Sequence, residues 1–296
     1  MKLRQMKLAL AASALAIALS ACAQHSSYKK EYQFAKANSA KLKSVMDARS
    51  AEDKQRDTWR KPAETLAFFR VEPGMTVAEV LPGGGWYSKI IADYLGSQGT
   101  LYGINYDEDI WPRFGFFNEA RIKELVASTA KFPETVAKVS NSGVKARGFT
   151  FSNAPNELAG TVDRVLVIRA LHNLNRFESE GQYRSKAIKA MHALLKKGGM
   201  VGLVQHKIPE TADDAGANGQ RGYLKQSDVI EMFENQGFEL VMSSDMHANP
   251  KDQPSATDVV WRLAPSFATS RDNPELKAKM QAIGESNRMT LLFRKK

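Results

Sequence analysis

Three consecutive glycines, Gly83, Gly84 and Gly85, follow the short apolar run Val77-Ala78-Glu79-Val80-Leu81-Pro82. After them Ile90, Ile91, Tyr94 and Leu95 share one helical face. Glycines at such a turn remove the Cβ atoms that would hold a ligand away from the backbone and from the helix N-terminus. The chemistry this suits is the binding of a nucleotide-type cofactor. Two histidines stand where acid–base work could be done: His172, after the apolar run 162–168, and His206, after 200–204. An imidazole there is either a proton acceptor or a structural ring bonded to backbone, and the structural role suits His206 better. The 5 histidines include no His-x-x-x-His pair and the single cysteine, Cys22, stands alone, so no metal site is recognisable.

These residues need elements to hold them. Strand-type runs fall at 77–80, 99–106, 144–151, 162–168 and 200–204, with two late runs at 238–242 and 289–293. Helical patterns lie between them at 119–139, 183–195, 227–236 and 273–283. Gly198 and Gly199 read as caps ending the helix over 183–195, Ser227 as the cap of the next one. The run 162–168 is nearly all apolar, as a central parallel strand covered on both faces should be. Strand, glycine turn, helix is the first unit of an open α/β sheet, whose ligands sit beyond the carboxyl ends of the strands. Ahead of it, the charged segment 56–64, interrupted by Pro62, reads as a solvated helix face or as a flap over the cleft.

The 296 residues suffice for one large α/β domain with extensions. The formal charge of +10 comes from basic residues that are scattered, without the clustered patch and interleaved aromatics that nucleic acid requires. Lys2, Arg4 and Lys7 followed by apolar residues 8–19 make a signal peptide too short to span a bilayer comfortably. Leu19-Ser20-Ala21-Cys22 resembles the lipobox of bacterial lipoproteins. That resemblance implies removal of residues 1–21, a lipid anchor on Cys22 and a place in the bacterial envelope, facing the periplasm, with Ala23 pointing to the outer membrane. Residues 22–55 then form a tether and helical extension, and 56–296 the folded domain. Replacing Cys22 by serine is expected to release the protein from membranes on fractionation, and a variant that still pellets with them argues against the anchor.

The alternation of strands and helices closed by two late strands resembles the class I S-adenosylmethionine-dependent methyltransferases. The expected fold is α/β, a three-layer Rossmann-like methyltransferase sheet, mostly parallel with a C-terminal antiparallel hairpin. Arg60-Lys61-Pro62-Ala63-Glu64-Thr65-Leu66, Pro82-Gly83-Gly84-Gly85-Trp86-Tyr87 and Leu171-His172-Asn173 are similar to a family of exported bacterial proteins classed as methyltransferases by fold. The class motif is acid-x-Gly-x-Gly-x-Gly; Glu79, Gly83 and Gly85 match it, and Leu81 replaces its first glycine. The resemblance implies S-adenosylmethionine as cofactor, with Glu79 orienting its amino-acid end and Gly83, Gly84 and Gly85 admitting it. Asn105 occupies the position of the carboxylate that accepts the ribose hydroxyls, a loss of charge-assisted bonding of roughly 1–2 kcal/mol unless Asp107 substitutes. His172 is then the candidate base for a small-molecule or envelope-associated acceptor. Trp86 and Tyr87 are candidates for cation–π contact with the sulfonium, and Tyr223 for substrate contact. Two rival readings stand beside it. One is a non-catalytic envelope binding protein on the same fold, which needs no cytoplasm-made methyl donor. The other is an NAD(P)-dependent oxidoreductase, for which Ser88 is out of place as the third glycine.

Overall fold

The structure, a computed structural model, describes residues 35–296. The expected signal segment, the expected lipid anchor at Cys22 and the first part of the expected tether lie outside the described residues. The chain divides into two compact units, 1–40 and 41–296. Of the first, only the residues leading into and opening helix α1 (Lys36–Asp47) are described.

The second unit is built on seven strands: β1 (Thr76–Val80), β2 (Thr100–Asn105), β3 (Lys145–Thr150), β4 (Val162–Ile168), β5 (Leu195–His206), β6 (Phe238–Ser244) and β7 (Arg288–Lys295). Their spatial order is 3-2-1-4-5-7-6, and β7 alone runs against its neighbours. This is the Rossmann-like methyltransferase sheet expected from the sequence. Its direction reverses between β1 and β4, the place where open α/β sheets bind ligands. The late antiparallel pair is no tight hairpin, because residues 245–287 leave the sheet between β6 and β7 and fold over its carboxyl edge.

Before β1 the charged segment breaks into three short helices, α2 (Ala51–Lys54), α3 (Asp57–Arg60) and α4 (Pro62–Phe68). The glycine turn opens α5 (Trp86–Leu95), whose Ile90, Ile91, Tyr94 and Leu95 are fully buried on the sheet. After β2, a one-turn helix α6 (Ile110–Arg113) carries aromatic residues into the core. The single helix expected at 119–139 is two, α7 (Glu119–Ala130) and α8 (Phe132–Val139). Pro133 sits in the first turn of α8, where its missing N–H costs nothing, so the chain restarts there. Gly103 and Gly148 let this junction lie directly on the sheet: a Cβ at Gly103 would come 2.6 Å from the Phe132 ring, and one at Gly148 1.8 Å from the Thr129 carbonyl.

Two caps differ from expectation. Helix α11 (Tyr183–Leu194), which follows α9 (Leu171–Arg176) and α10 (Glu178–Gly181), ends at an extended Leu195 that already pairs with Val162 of β4. Gly198, at φ 72°, instead turns an irregularity within β5 before the ladder resumes at Met200. Helix α12 (Gln226–Glu234) is not capped by Ser227, which lies inside its first turn. The Glu210 carboxylate does that work, accepting from the backbone N–H of Gln226 at 3.1 Å and from the Ser227 hydroxyl at 2.6 Å. The last helix, α13 (Pro274–Ile283), begins after Asn273, whose side chain caps it.

Candidate active site

At the exit of β1 the backbone turns through Leu81 (φ 52°), Pro82, Gly83 (φ 56°), Gly84 and Gly85 (φ 80°). Leu81 thus adopts the left-handed conformation for which the class motif uses glycine, at a cost of roughly 1–2 kcal/mol. Its N–H donates to the Ile104 carbonyl at 2.7 Å, which carries the β1–β2 ladder one residue further. Glu79 lies beneath this turn, not in front of it. Its carboxylate is buried and accepts the Ser88 hydroxyl at 2.6 Å, tying β1 to the first turn of α5. Burial pushes its pKa up to about 7, the Ser88 hydrogen bond opposing the shift. Gly85 serves the turn itself: its φ of 80° is left-handed backbone that favours glycine, and a Cβ there would make only ordinary contact with Thr135 of α8.

Gly83 and Gly84 do line a cavity, of about 300 Å³, whose other walls include Asn105, Trp111, Glu124 and Thr129. The amide nitrogen of Asn105 contacts the Leu125 carbonyl (3.2 Å), Ser128 Oγ (3.2 Å) and Thr129 Oγ1 (3.0 Å). Its Oδ1 accepts from the Tyr106 N–H at 2.9 Å. Both ends of the expected ribose partner are therefore engaged in pinning α7 over the end of β2. Asp107 does not line this cavity: its Oδ1 accepts from the backbone and hydroxyl of Ser152 at 2.9 and 2.8 Å, at the exit of β3. The carboxylate on the cavity wall belongs to Glu124 of α7, an exposed side chain paired with Arg121 at 2.8 Å. No motif marks Glu124, which stands on α7, the helix that Asn105 holds over the end of β2.

A second cavity, of about 290 Å³, opens at the exits of β4 and β5 and is lined by Arg169, His172, Asn173, His206 and Trp261. Leu81 walls both cavities. His172 is held by Gln205, whose amide nitrogen donates to the Gly222 carbonyl at 2.9 Å and the His206 carbonyl at 3.3 Å. That fixes Gln205 Oε1 as an acceptor, 3.2 Å from His172 Nδ1 and 3.3 Å from the His172 backbone N–H. His172 is therefore protonated on Nδ1, and its Nε2 lone pair has no partner among the described residues. Burial lowers its pKa to about 4, so the ring is neutral near pH 7. His206 is bonded through Nδ1 to Ser286 Oγ at 2.6 Å, a side-chain partner where a backbone one was expected. Its pKa is also depressed, first by burial and then by His172.

The other aromatic candidates are elsewhere. The Trp86 ring has the Arg49 and Arg60 guanidinium groups 4.9 and 4.8 Å from its centroid, and its N–H donates to the Asp53 carbonyl. Tyr87 is buried and donates to the Arg60 carbonyl. Neither lines either cavity. Tyr223 is fully buried in a network with Asp252 and Arg262, whose ion pair of 2.7 Å anchors the loop that carries Trp261. Among the described residues no group of three or more His, Cys, Asp or Glu could hold a metal ion. Among them, no helix is long and apolar enough to cross a membrane.

Strand order and the cavities at the point of reversal define the methyltransferase-type α/β class. No family profile matches the chain, and no curated protein does. Among solved structures it is similar to the [4+2]-cyclase SpnF at 14% identity and TM-score 0.49, covering 80% of each chain. It is similar to the geranyl diphosphate C-methyltransferase of Streptomyces coelicolor at 11% and 0.48, covering 80% of this chain and 78% of that one. A SAM-dependent methyltransferase from Aquifex aeolicus gives 15% and 0.44, with 69% and 92% covered. At these values the assignment of fold rests on the strand order of this chain.

Proposed function

We propose that this protein is an S-adenosylmethionine-dependent methyltransferase acting on a small acceptor. The observation that carries the reading is Leu81, a shared wall of two cavities beside the reversal point of the sheet. The first cavity fits a nucleoside in one specific respect: a Cβ added at Gly84 would meet nothing within 4 Å, so the turn leaves open room. Gly83 and Gly84 would admit the cofactor, and Glu124 would offer the carboxylate that Asn105 lacks. When bound, S-adenosylmethionine supplies a methyl group made electrophilic by its sulfonium. His172 Nε2 takes the acceptor's proton; its pKa of about 4 keeps the lone pair free at pH 7 and makes the ring a weak base, which suits an acceptor that gives up its proton readily. Gln205 holds that ring in the needed tautomer.

Calorimetric titration with S-adenosylhomocysteine is expected to give saturable heat, and a stabilisation of about 2.7 kcal/mol at a hundredfold excess over Kd. Absence of heat and of any thermal shift at millimolar ligand would favour the second reading, a non-catalytic binding protein on the same fold. That reading draws support from Asn105, whose amide nitrogen is held by α7 and whose Oδ1 already accepts from the Tyr106 N–H.

A further inference from the structure

Three arginines and one glutamate from distant parts of the chain meet beside the second cavity. Arg60 Nε lies 3.3 Å from one oxygen of Glu285, and Arg288 Nη1 2.9 Å from the other. These three side chains are only 3–4% exposed. Glu285 is thus shared between two guanidinium groups, with both oxygens taken. Arg169 is the third cation. It is attracted by Glu285 and repelled by Arg288, yet its side chain makes no hydrogen bond or ion pair with any described residue. His172 and His206, on the same cavity wall, are neutral at pH 7 and bring no counter-charge. Three cations therefore face one anion, two of them buried with it and Arg169 half-buried on the cavity wall, an arrangement that a further negative charge would balance.

One feature of the backbone agrees. Arg169 is held at φ 58°, a strained conformation for a long side chain, at the very exit of β4.

We propose that the second cavity is an oxyanion site in which the Arg169 guanidinium receives a carboxylate or phosphate group of a small ligand. The planar fork of arginine matches either group with two parallel hydrogen bonds. The oxyanion has two possible sources. It is the aminoacyl carboxylate of S-adenosylmethionine or an acid group on the acceptor, and in naming these the inference rests on the methyltransferase reading.

The test compares the wild type with Arg169→Gln and Arg169→Lys. Each is titrated with S-adenosylhomocysteine, with 5′-methylthioadenosine (the same nucleoside thioether without the carboxylate), with benzoate and with phenyl phosphate. Without ligand, Arg169→Gln is expected to melt above the wild type, because it removes a half-buried cation repelled by Arg288. It is also expected to lose at least about tenfold in affinity for the oxyanion ligand, with Arg169→Lys between the two, a pattern that a merely structural arginine would not give. If the cofactor is the source, S-adenosylhomocysteine binding weakens and methylthioadenosine binding does not. If the acceptor is the source, both nucleosides bind as before and the response to benzoate or phenyl phosphate disappears. Should Arg169→Gln fail to fold, the comparison is read on Arg169→Lys. The oxyanion site is overturned if no ligand distinguishes the variants from the wild type. Nucleoside binding indifferent to Arg169, with no oxyanion bound, refutes the oxyanion site and leaves the methyltransferase reading. Arg169-dependent binding of benzoate or phenyl phosphate without either nucleoside does the reverse.

Discussion

Replacing Gly84 by valine is expected to remove most of the affinity for S-adenosylhomocysteine while leaving the melting temperature unchanged or slightly raised. Gly84 is the residue of the turn at which the two effects separate. Its φ lies outside the left-handed region, an added Cβ would meet nothing within 4 Å, and the residue lines the cavity. The backbone therefore tolerates a side chain, and reduced freedom of the unfolded chain even favours the variant by about 0.4–1 kcal/mol. The ligand meets the new methyl groups instead. Overpacking of 1–3 kcal/mol corresponds to a loss of about one to two orders of magnitude in binding. The same change at Gly83 is less informative, because φ 56° there would strain any β-branched residue in the folded state. Calorimetry and thermal melts on Gly84→Val decide the matter: wild-type affinity in a folded variant would put the cofactor somewhere other than this cavity.

The pH dependence of stability should carry a signature of Glu79. Its folded-state pKa of about 7 lies above the unfolded value of 4.5. Between those values the native state keeps a proton that the unfolded chain has released, so this group's contribution falls as pH rises from 4.5 to 7 and stays low above. At 1.36 kcal/mol per unit the loss is about 3 kcal/mol. The buried histidines act in the opposite sense. His172 and His247 have pKa values lowered to about 4, with burial the main cause, and stability linked to them is lost as pH falls through 6.5 toward 4. Glu79→Gln removes only the first contribution. Its stability relative to the wild type should therefore grow by about 3 kcal/mol between pH 4.5 and pH 8, as read by denaturant titration across that range. A gap that stays constant with pH would mean that Glu79 titrates as an ordinary carboxylate.

Much of the architecture was legible because the signals are local. A strand buried on both faces must be apolar along its length, as 162–168 is, and a turn that approaches a ligand closely must lack side chains, as Gly83 and Gly84 do. Local signals misled where the same residue type serves two purposes. Gly198 looked like a helix cap and instead turns an irregularity in β5, since Leu195 had already joined β4. Ser227 looked like a cap and was displaced by Glu210, a residue outside the helix that reaches its free N–H groups. Glu79 matched its motif, yet its carboxylate is turned to Ser88 beneath the turn, a direction that spacing does not encode.

By itself, then, the sequence determined the order of strands and helices, the glycine turn at the first strand exit and the imidazole after the fourth. Those follow from hydrophobic period and backbone stereochemistry, which act over a few residues. Only the tertiary structure decided which polar groups remain available to a ligand. Asn105 is engaged by α7, Glu124 arrives with that helix, and Arg60, Arg169, Glu285 and Arg288 converge from separate parts of the chain. Electrostatic balance and hydrogen-bond satisfaction depend on distance in space, and folding alone sets that distance.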